Sequence, residues 1–255
     1  RADGSSKFAP GNQWGFFPAG SVAWIISEED FWDADKSKMN TFKFRASYGA
    51  NGNVHKDWIG NYTVQGAYAT TTKYAGSNAI LLSTIPNPYL TWEKSYTFEA
   101  GLDLGFLENR INANLTYYNR LTTDKFANIT IPSTSGATSF TSNNGKFRNV
   151  GLEFELGFKI LDQQDWKWNL NWNGAYSISK IVQLPDNGLP NNRQSAFQVY
   201  SGNGNELMWV GGYQEGQRPG DVYAFVAEGL YRNESEIPAG LIDISSGNNG
   251  SSNRP

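Results

Sequence analysis

The stretch from Thr91 to Phe106, TWEKSYTFEAGLDLGF, alternates between two sets of residues for sixteen positions without slipping register. One set reads Thr91, Glu93, Ser95, Thr97, Glu99, Gly101, Asp103, Gly105, and the other Trp92, Lys94, Tyr96, Phe98, Ala100, Leu102, Leu104, Phe106. Side chains on a strand point to opposite faces with period two, so this is one long two-faced strand. Ordinary strands run about 5–6 residues, whereas a strand that crosses a membrane needs roughly 9–11. Aromatic residues stand at both ends of the apolar face. The pattern points to a wall strand of an outer-membrane barrel, its apolar side turned to lipid instead of a core.

Composition agrees. Only 39% of the 255 residues are hydrophobic and no long apolar run exists, which excludes a transmembrane helix. Barrels escape such scans because half of each strand faces a wet lumen. Aromatic content is high, with 9 Trp, 13 Tyr and 15 Phe, as interfacial girdles require. The absence of cysteine removes disulfides, thiolate metal sites and cysteine catalysis. A net charge of −3 without a basic run argues against nucleic acid as a partner. The opening RADGSSKF carries no signal-peptide pattern and the closing NNGSSNRP is loop-like, so the chain reads as an internal piece of a longer protein.

Further strands follow the same rule. Trp14 to Ile26 is a strand interrupted by Pro18, and an acidic turn- or helix-like connection, SEEDFWDADKSKMN, comes next. Phe42, Phe44, Ala46 and Tyr48 then alternate with Lys43, Arg45, Ser47 and Gly49. Residues 50–90 read as a long loop, with a strand at Tyr62, Val64, Gly66 and Tyr68. After the tight connection LENR, Ile111, Ala113, Leu115 and Tyr117 return along the first strand. Residues 124–147, rich in Ser, Thr, Asn and Gly, read as loop. Val150 to Ile160 and Trp166 to Ile178 form another hairpin around LDQQD, and a weaker strand is expected near Val222–Tyr231. Short turns near Glu108 and Gln163 alternate with long loops at 50–90, 124–147 and 181–221, matching short periplasmic turns and long extracellular loops.

A soluble β-sandwich, for example a secreted adhesin or carbohydrate-binding module, gives the same alternation, and periodicity alone leaves both readings open. Three features favour the barrel. The strands are too long for a sandwich. Their polar faces carry Gly, Asn, Thr and Ser more than Lys and Glu. Trp and Tyr gather toward strand ends. Lys94 fits too: near the loop end of its strand it costs about 0–1 kcal/mol, against roughly 2–4 at the lipid midplane.

Catalytic and metal candidates are weak. His55, with no carboxylate or second histidine beside it, reads as a surface residue and not a metal ligand. Glu153 and Glu155 share a face, as paired glycosidase carboxylates do, but fit lumen-facing strand residues better. The cluster Glu28, Glu29, Asp30, Asp33, Asp35 reads as a solvated periplasmic connection. No cofactor is expected, and nothing beyond scattered carboxylates suggests an enzyme.

Several strings together carry a resemblance: RADGSSKFAPGNQWGFFPAGSVAWIISEE, FKFRASYGANGN, NPYLTWEKSYTFEAGLDLGFLENRINANLTYYNRLTTD, IPSTSGATSF followed by NVGLEFELGF, and more weakly PGDVYAFVAEGLYRNESEI. In this order they resemble the SusC/RagA family of TonB-dependent outer-membrane transporters, typical of Bacteroidota. The resemblance implies an all-β transmembrane antiparallel barrel of about 22 strands around a plug. Residues 1–237 would supply about seven or eight strands from its C-terminal half. The tail 238–255 is unassigned, and the plug, the TonB box and the final strands lie outside this sequence. The implied function is TonB-dependent import of a glycan or peptide nutrient. The implied partners are a SusD-like surface lipoprotein, the TonB-ExbB-ExbD complex through the absent N-terminal region, and outer-membrane lipid. Glu99, Asp103, Glu153 and Glu155 would face the lumen. Trp58, Tyr74, Trp209 and Tyr213, set among Gly, Asn and Ser in the expected extracellular loops, are the candidate ligand contacts, since aromatic faces stack on sugars or pack on peptide side chains.

Overall fold

Six antiparallel strands form one sheet, and the alternation seen in the sequence runs through its central part. In chain order they are β1 (Ala19–Ile25), β2 (Met39–Asn53), β3 (Glu93–Phe106), β4 (Ile111–Thr130), β5 (Ser139–Asp162) and β6 (Lys167–Gln183). Their order across the sheet is also their order in the chain, a plain up-and-down meander. The computed structural model describes residues 1–70, 73–137, 139–200, 206–222, 224, 226, 229, 230 and 232–236. One compact unit comprises Arg1–Arg193 and Tyr213–Pro219 and contains this sheet. The second, Gln194–Gly212 with Gly220–Pro255, contains a small hairpin, Phe197–Tyr200 against Leu207–Val210. Among the described residues of the expected strand at Val222–Tyr231 no strand forms, and the others lie outside the description.

Register joins the apolar sets into continuous rows. Phe44 faces Leu102, which faces Leu115, which faces Phe154, which faces Gly174. The ring of Phe154 lies over Gly174, where an added Cβ would sit 2.6 Å from ring carbon Cζ, and Trp172 meets Phe154 edge-on at 5.1 Å. Two rows further toward the loops, Tyr48, Phe98, Asn119, Val150 and Ile178 lie side by side. This face is bare: Phe98 is 43% exposed, Trp172 59% and Tyr176 64%. No second sheet lies on it among the described residues, so the sandwich reading fails.

The strands also overshoot a bilayer. β4 has 20 residues and β5 has 24, against roughly 9–11 for a crossing. Residues 124–147, expected to be loop, are therefore mostly strand. Ladder pairing continues, through register shifts between Thr122 and Lys125 and between Lys125 and Ala127, to Thr130 opposite Ser139. The alternation disappears there because a ladder beyond the membrane needs hydrogen bonds but no greasy side. The strand expected at Tyr62–Tyr68 is likewise corrected. Tyr62 and Val64 lie in turns, Gly66 takes φ +80°, and only Ala67–Ala69 is extended.

The ends of the sheet differ. At one end sit the acidic connection after β1 and the turns Leu107–Arg110 and Gln163–Trp166. In the acidic connection the amide and hydroxyl of Ser37 both donate to Asp35, holding that carboxyl below its usual value of 3.8. At the other end residues 54–70, 73–92 and the N-terminal segment fold down over the strands. Phe8, Phe17, Ala50, Ile59, Val64, Leu90, Trp92 and Phe126 make a buried cluster there. Gly15 and Gly52 leave the slot for the Phe17 ring, since a Cβ at either would lie within 2.4 Å of it. Ala50, Gly52, Trp92 and Tyr96 belong to the same strand face as Phe98, so the cluster covers the loop end of the apolar face.

Candidate functional site

The face opposite the bare one is polar, and its centre is Arg45. That side chain extends over Gly101, its partner on β3, where a Cβ would approach the guanidinium carbon to 2.8 Å. Arg45 Nε donates to Asp103 Oδ1 at 3.0 Å, while Nη2 donates to Asn114 Oδ1 at 2.8 Å and Thr116 Oγ1 at 2.7 Å. Lys43 Nζ lies 3.6 Å from the other Asp103 oxygen. One arginine thus binds three strands, and Asp103 is matched by two cations. Partly exposed pairs of this kind contribute about 0–1 kcal/mol each, so the network fixes charge and geometry more than it stabilises.

Across the next strand, Glu153 pairs with Thr116 and Ala175, and Glu155 with Asn114 and Asn173. With Arg45, Asn114, Thr116 and Asn173 they line a depression of about 450 Å³. Both glutamates are exposed, and among the described residues neither has a hydrogen-bond or ion-pair partner. A hydrolytic pair needs positioned carboxylates and enclosure; these have neither. Glu99 lines a second depression with Ser47, Asn51, Thr97 and Arg120, in which Arg120 Nε donates to Thr97 Oγ1 at 3.2 Å. Register puts Glu99, Asp103, Glu153 and Glu155 on one face of the sheet.

The four loop aromatics are less convergent. Trp58 closes the turn begun at His55, Tyr74 sits on the two-residue hairpin Lys73–Tyr74 against Ser77–Asn78, and both are exposed. Tyr213 belongs to the first unit and Trp209 to the second. Among the described residues no ring contact joins Trp58, Tyr74 and Tyr213 to one another. His55 is corrected in one respect: the turn brings the Asp57 carboxylate to 3.6 Å from its Nδ1. No group of metal-ligating side chains occurs among the described residues.

Sequence reasoning missed the residues that organise the loop end. Glu93 is 4% exposed; it accepts the Phe126 amide at 2.8 Å and the Asn53 side chain at 3.2 Å. Asn143 donates to the carbonyls of Thr91 and Asp124 and accepts the Thr91 amide. Asn87 donates to the Thr141 carbonyl. The string NPYLTWEKSY therefore reads physically as latch (Asn87), core (Leu90, Trp92) and buried strut (Glu93). The signal was present in the string, but its partners are remote in sequence.

A single sheet, bare and apolar on one side and ion-paired on the other, with strands longer than a bilayer requires, defines a segment of transmembrane β-barrel wall. No helix among the described residues is long and apolar enough to cross a membrane. The chain belongs to the TonB-dependent receptor β-barrel family: the family model described as "TonB dependent receptor-like, beta-barrel" matches residues 1–245. It is 31% identical over 248 residues to TonB-dependent receptor P3 of Formosa agariphila, covering 96% of this chain and 24% of that protein. Identity to TonB-dependent receptor SusC of Bacteroides thetaiotaomicron is 34% over 192 residues, covering 72% and 19% respectively. The solved structure of the RagAB peptide transporter matches with a TM-score of 0.65 and 28% identity, over 84% of this chain and 22% of that one. The chain thus spans about a quarter or less of these relatives. Its location is the outer membrane, and the family is one of receptors and transporters, not enzymes.

Proposed function

We propose that the whole protein is an energy-coupled importer, and that this chain is part of its barrel wall within residues 1–237. The observation that carries the reading is the pairing of a bare lipid-facing side with a polar side whose charges are set by Arg45, in a chain of this family. The turn end faces the periplasm and the loop end the outside, which matches the general asymmetry of such barrels. Glu99, Asp103, Glu153 and Glu155 then face the lumen, toward the plug or the passing solute. The outer edges of β1 and β6 need partner strands, since an open ladder in hydrocarbon costs several kcal/mol for each unsatisfied group.

The cargo is a glycan or a peptide. The likeness to the RagAB peptide transporter supports a peptide, and the resemblance to the SusC/RagA family keeps a glycan beside it. A SusD-like lipoprotein would cap the loop end, where Trp58, Tyr74 and Tyr213 are exposed toward the lid or the ligand, with Trp209 of the second unit a further candidate contact, and TonB-ExbB-ExbD would act through a part of the protein outside this chain. The test is uptake of labelled oligosaccharides and peptides by cells carrying the full-length protein, with and without TonB. TonB-dependent accumulation of one class is the expected result; no accumulation of either refutes import.

A further inference from the structure

The bare face ends, at its loop side, in a row of like charges that no motif announces. Arg148 on β5 stands directly opposite Lys180 on β6, and Leu121 on β4 completes the row. Alternation puts these two on the side of Val150 and Ile178, the apolar row immediately below. Lys146 lies two residues further along β5, just past an irregularity in the β5–β6 ladder, and is exposed there. All three cations are exposed, and none has an ion-pair or hydrogen-bond partner among the described residues. Lys94, on the same face, differs: Asp124 lies 3.6 Å from it.

Like charges directly opposite one another, with Cβ atoms about 4.5–5.5 Å apart, destabilise a sheet. An anion shared between them reverses that cost. Height identifies the anion. From Phe158 to Val150 a strand rises roughly 26 Å along its length, near 19 Å at a tilt of about 45°, out of an apolar band of about 25 Å. The Arg148–Lys180 row lies about 5 Å higher, at the upper edge of that band, where headgroups begin. The amides of β5 around Arg148 are taken by the ladders on its two sides, so a free anion would gain little there. A phosphate anchored by acyl chains on Leu152 and Tyr176 is held at that height at high effective concentration.

We propose that Arg148, Lys180 and Lys146 bind the phosphate of an outer-leaflet glycolipid headgroup, the chemistry of lipopolysaccharide. The inference rests on the loop end facing outward, as argued above. The test uses the full-length protein in detergent, with retention of phosphorylated lipid A, dephosphorylated lipid A and inorganic phosphate measured separately. The wild type should retain phosphorylated lipid A over the dephosphorylated form. Replacing both residues (Arg148→Gln with Lys180→Gln) should reduce retention roughly ten- to thirty-fold. The charge-keeping exchange of Arg148→Lys with Lys180→Arg should preserve it, which separates binding from misfolding. Equal retention of the two lipids, retention unaffected by the glutamine pair, or displacement by millimolar inorganic phosphate would each overturn the proposal. Orientation is checked independently by Thr134→Cys, which an impermeant maleimide should label in intact cells. Labelling without phosphate-dependent retention rejects the lipid site alone, whereas absence of labelling rejects the outward loop end and the lipid site with it.

Discussion

Phe98 on β3 and Trp92, the residue just before that strand, are six positions apart, yet Phe98 is 43% exposed and Trp92 only 7%. Below, the wall leaves its aromatic and aliphatic side chains uncovered. Above, residues brought from Phe8 to Phe126 are gathered to cover them. The difference is one of solvent. Where the surroundings are hydrocarbon, burial against protein gains nothing, and where they are water, each large apolar side chain gains about 1.5–3 kcal/mol from being covered. The membrane surface therefore lies between these two levels, and Lys94 with its Asp124 partner stands at the same boundary.

That contrast can be broken most strongly from above. Leu90 is fully buried, and Leu90→Ala should cost about 2–5 kcal/mol, read as a lowered urea midpoint for protection of the loop end of the full-length protein from protease. An alanine at Leu152, bare on the lipid side, should leave that midpoint almost unmoved. Next comes depth. Leu102→Lys, in the middle of the apolar rows, should cost roughly 2–4 kcal/mol for unfolding from lipid vesicles, and Tyr48→Lys, bare and two rows nearer the boundary, should cost less. Glu93→Ala should cost about 1–3 kcal/mol, because it strands the buried Phe126 amide; Glu93→Gln, which can still accept that bond, should cost less. The smallest effect belongs to the exposed turn at the opposite end. Hydrogen bonds from Ser37 lower the Asp35 pKa, so their contribution is present above the unfolded value and lost as pH falls through the lowered folded one. Ser37→Ala should bring that titration back up, as followed by carboxyl NMR chemical shifts.

What could be read in advance follows the same division. Period-two alternation is imposed by lipid on one side and water on the other, so the membrane-level parts of β2 to β6 were legible from residues alone, as was the shared face of Glu99, Asp103, Glu153 and Glu155. Beyond the bilayer that constraint lapses. The polar run after Asp124 looks like loop and is ladder, while Tyr62 and Val64 imitate a strand and are turns. Arg45 was visible as a charge on the correct face. Its partnership with Asp103 was not, because β2 and β3 are separated in the chain by the whole segment between Asn53 and Glu93. The Arg148–Lys180 pair escaped notice for the same reason: the sequence shows no basic run, and only cross-strand register makes one.

The long β4–β5 hairpin has a mechanical consequence. Its hydrogen bonds persist to Thr130 opposite Ser139, so the rim on this side is a stiff pylon and not a set of tethers. At about 3.3 Å per residue, the 24 residues of β5 measure roughly 80 Å from foot to tip. A cap resting on that tip would be carried at a fixed elevation, and a tilt of the cap would act on the wall as torque.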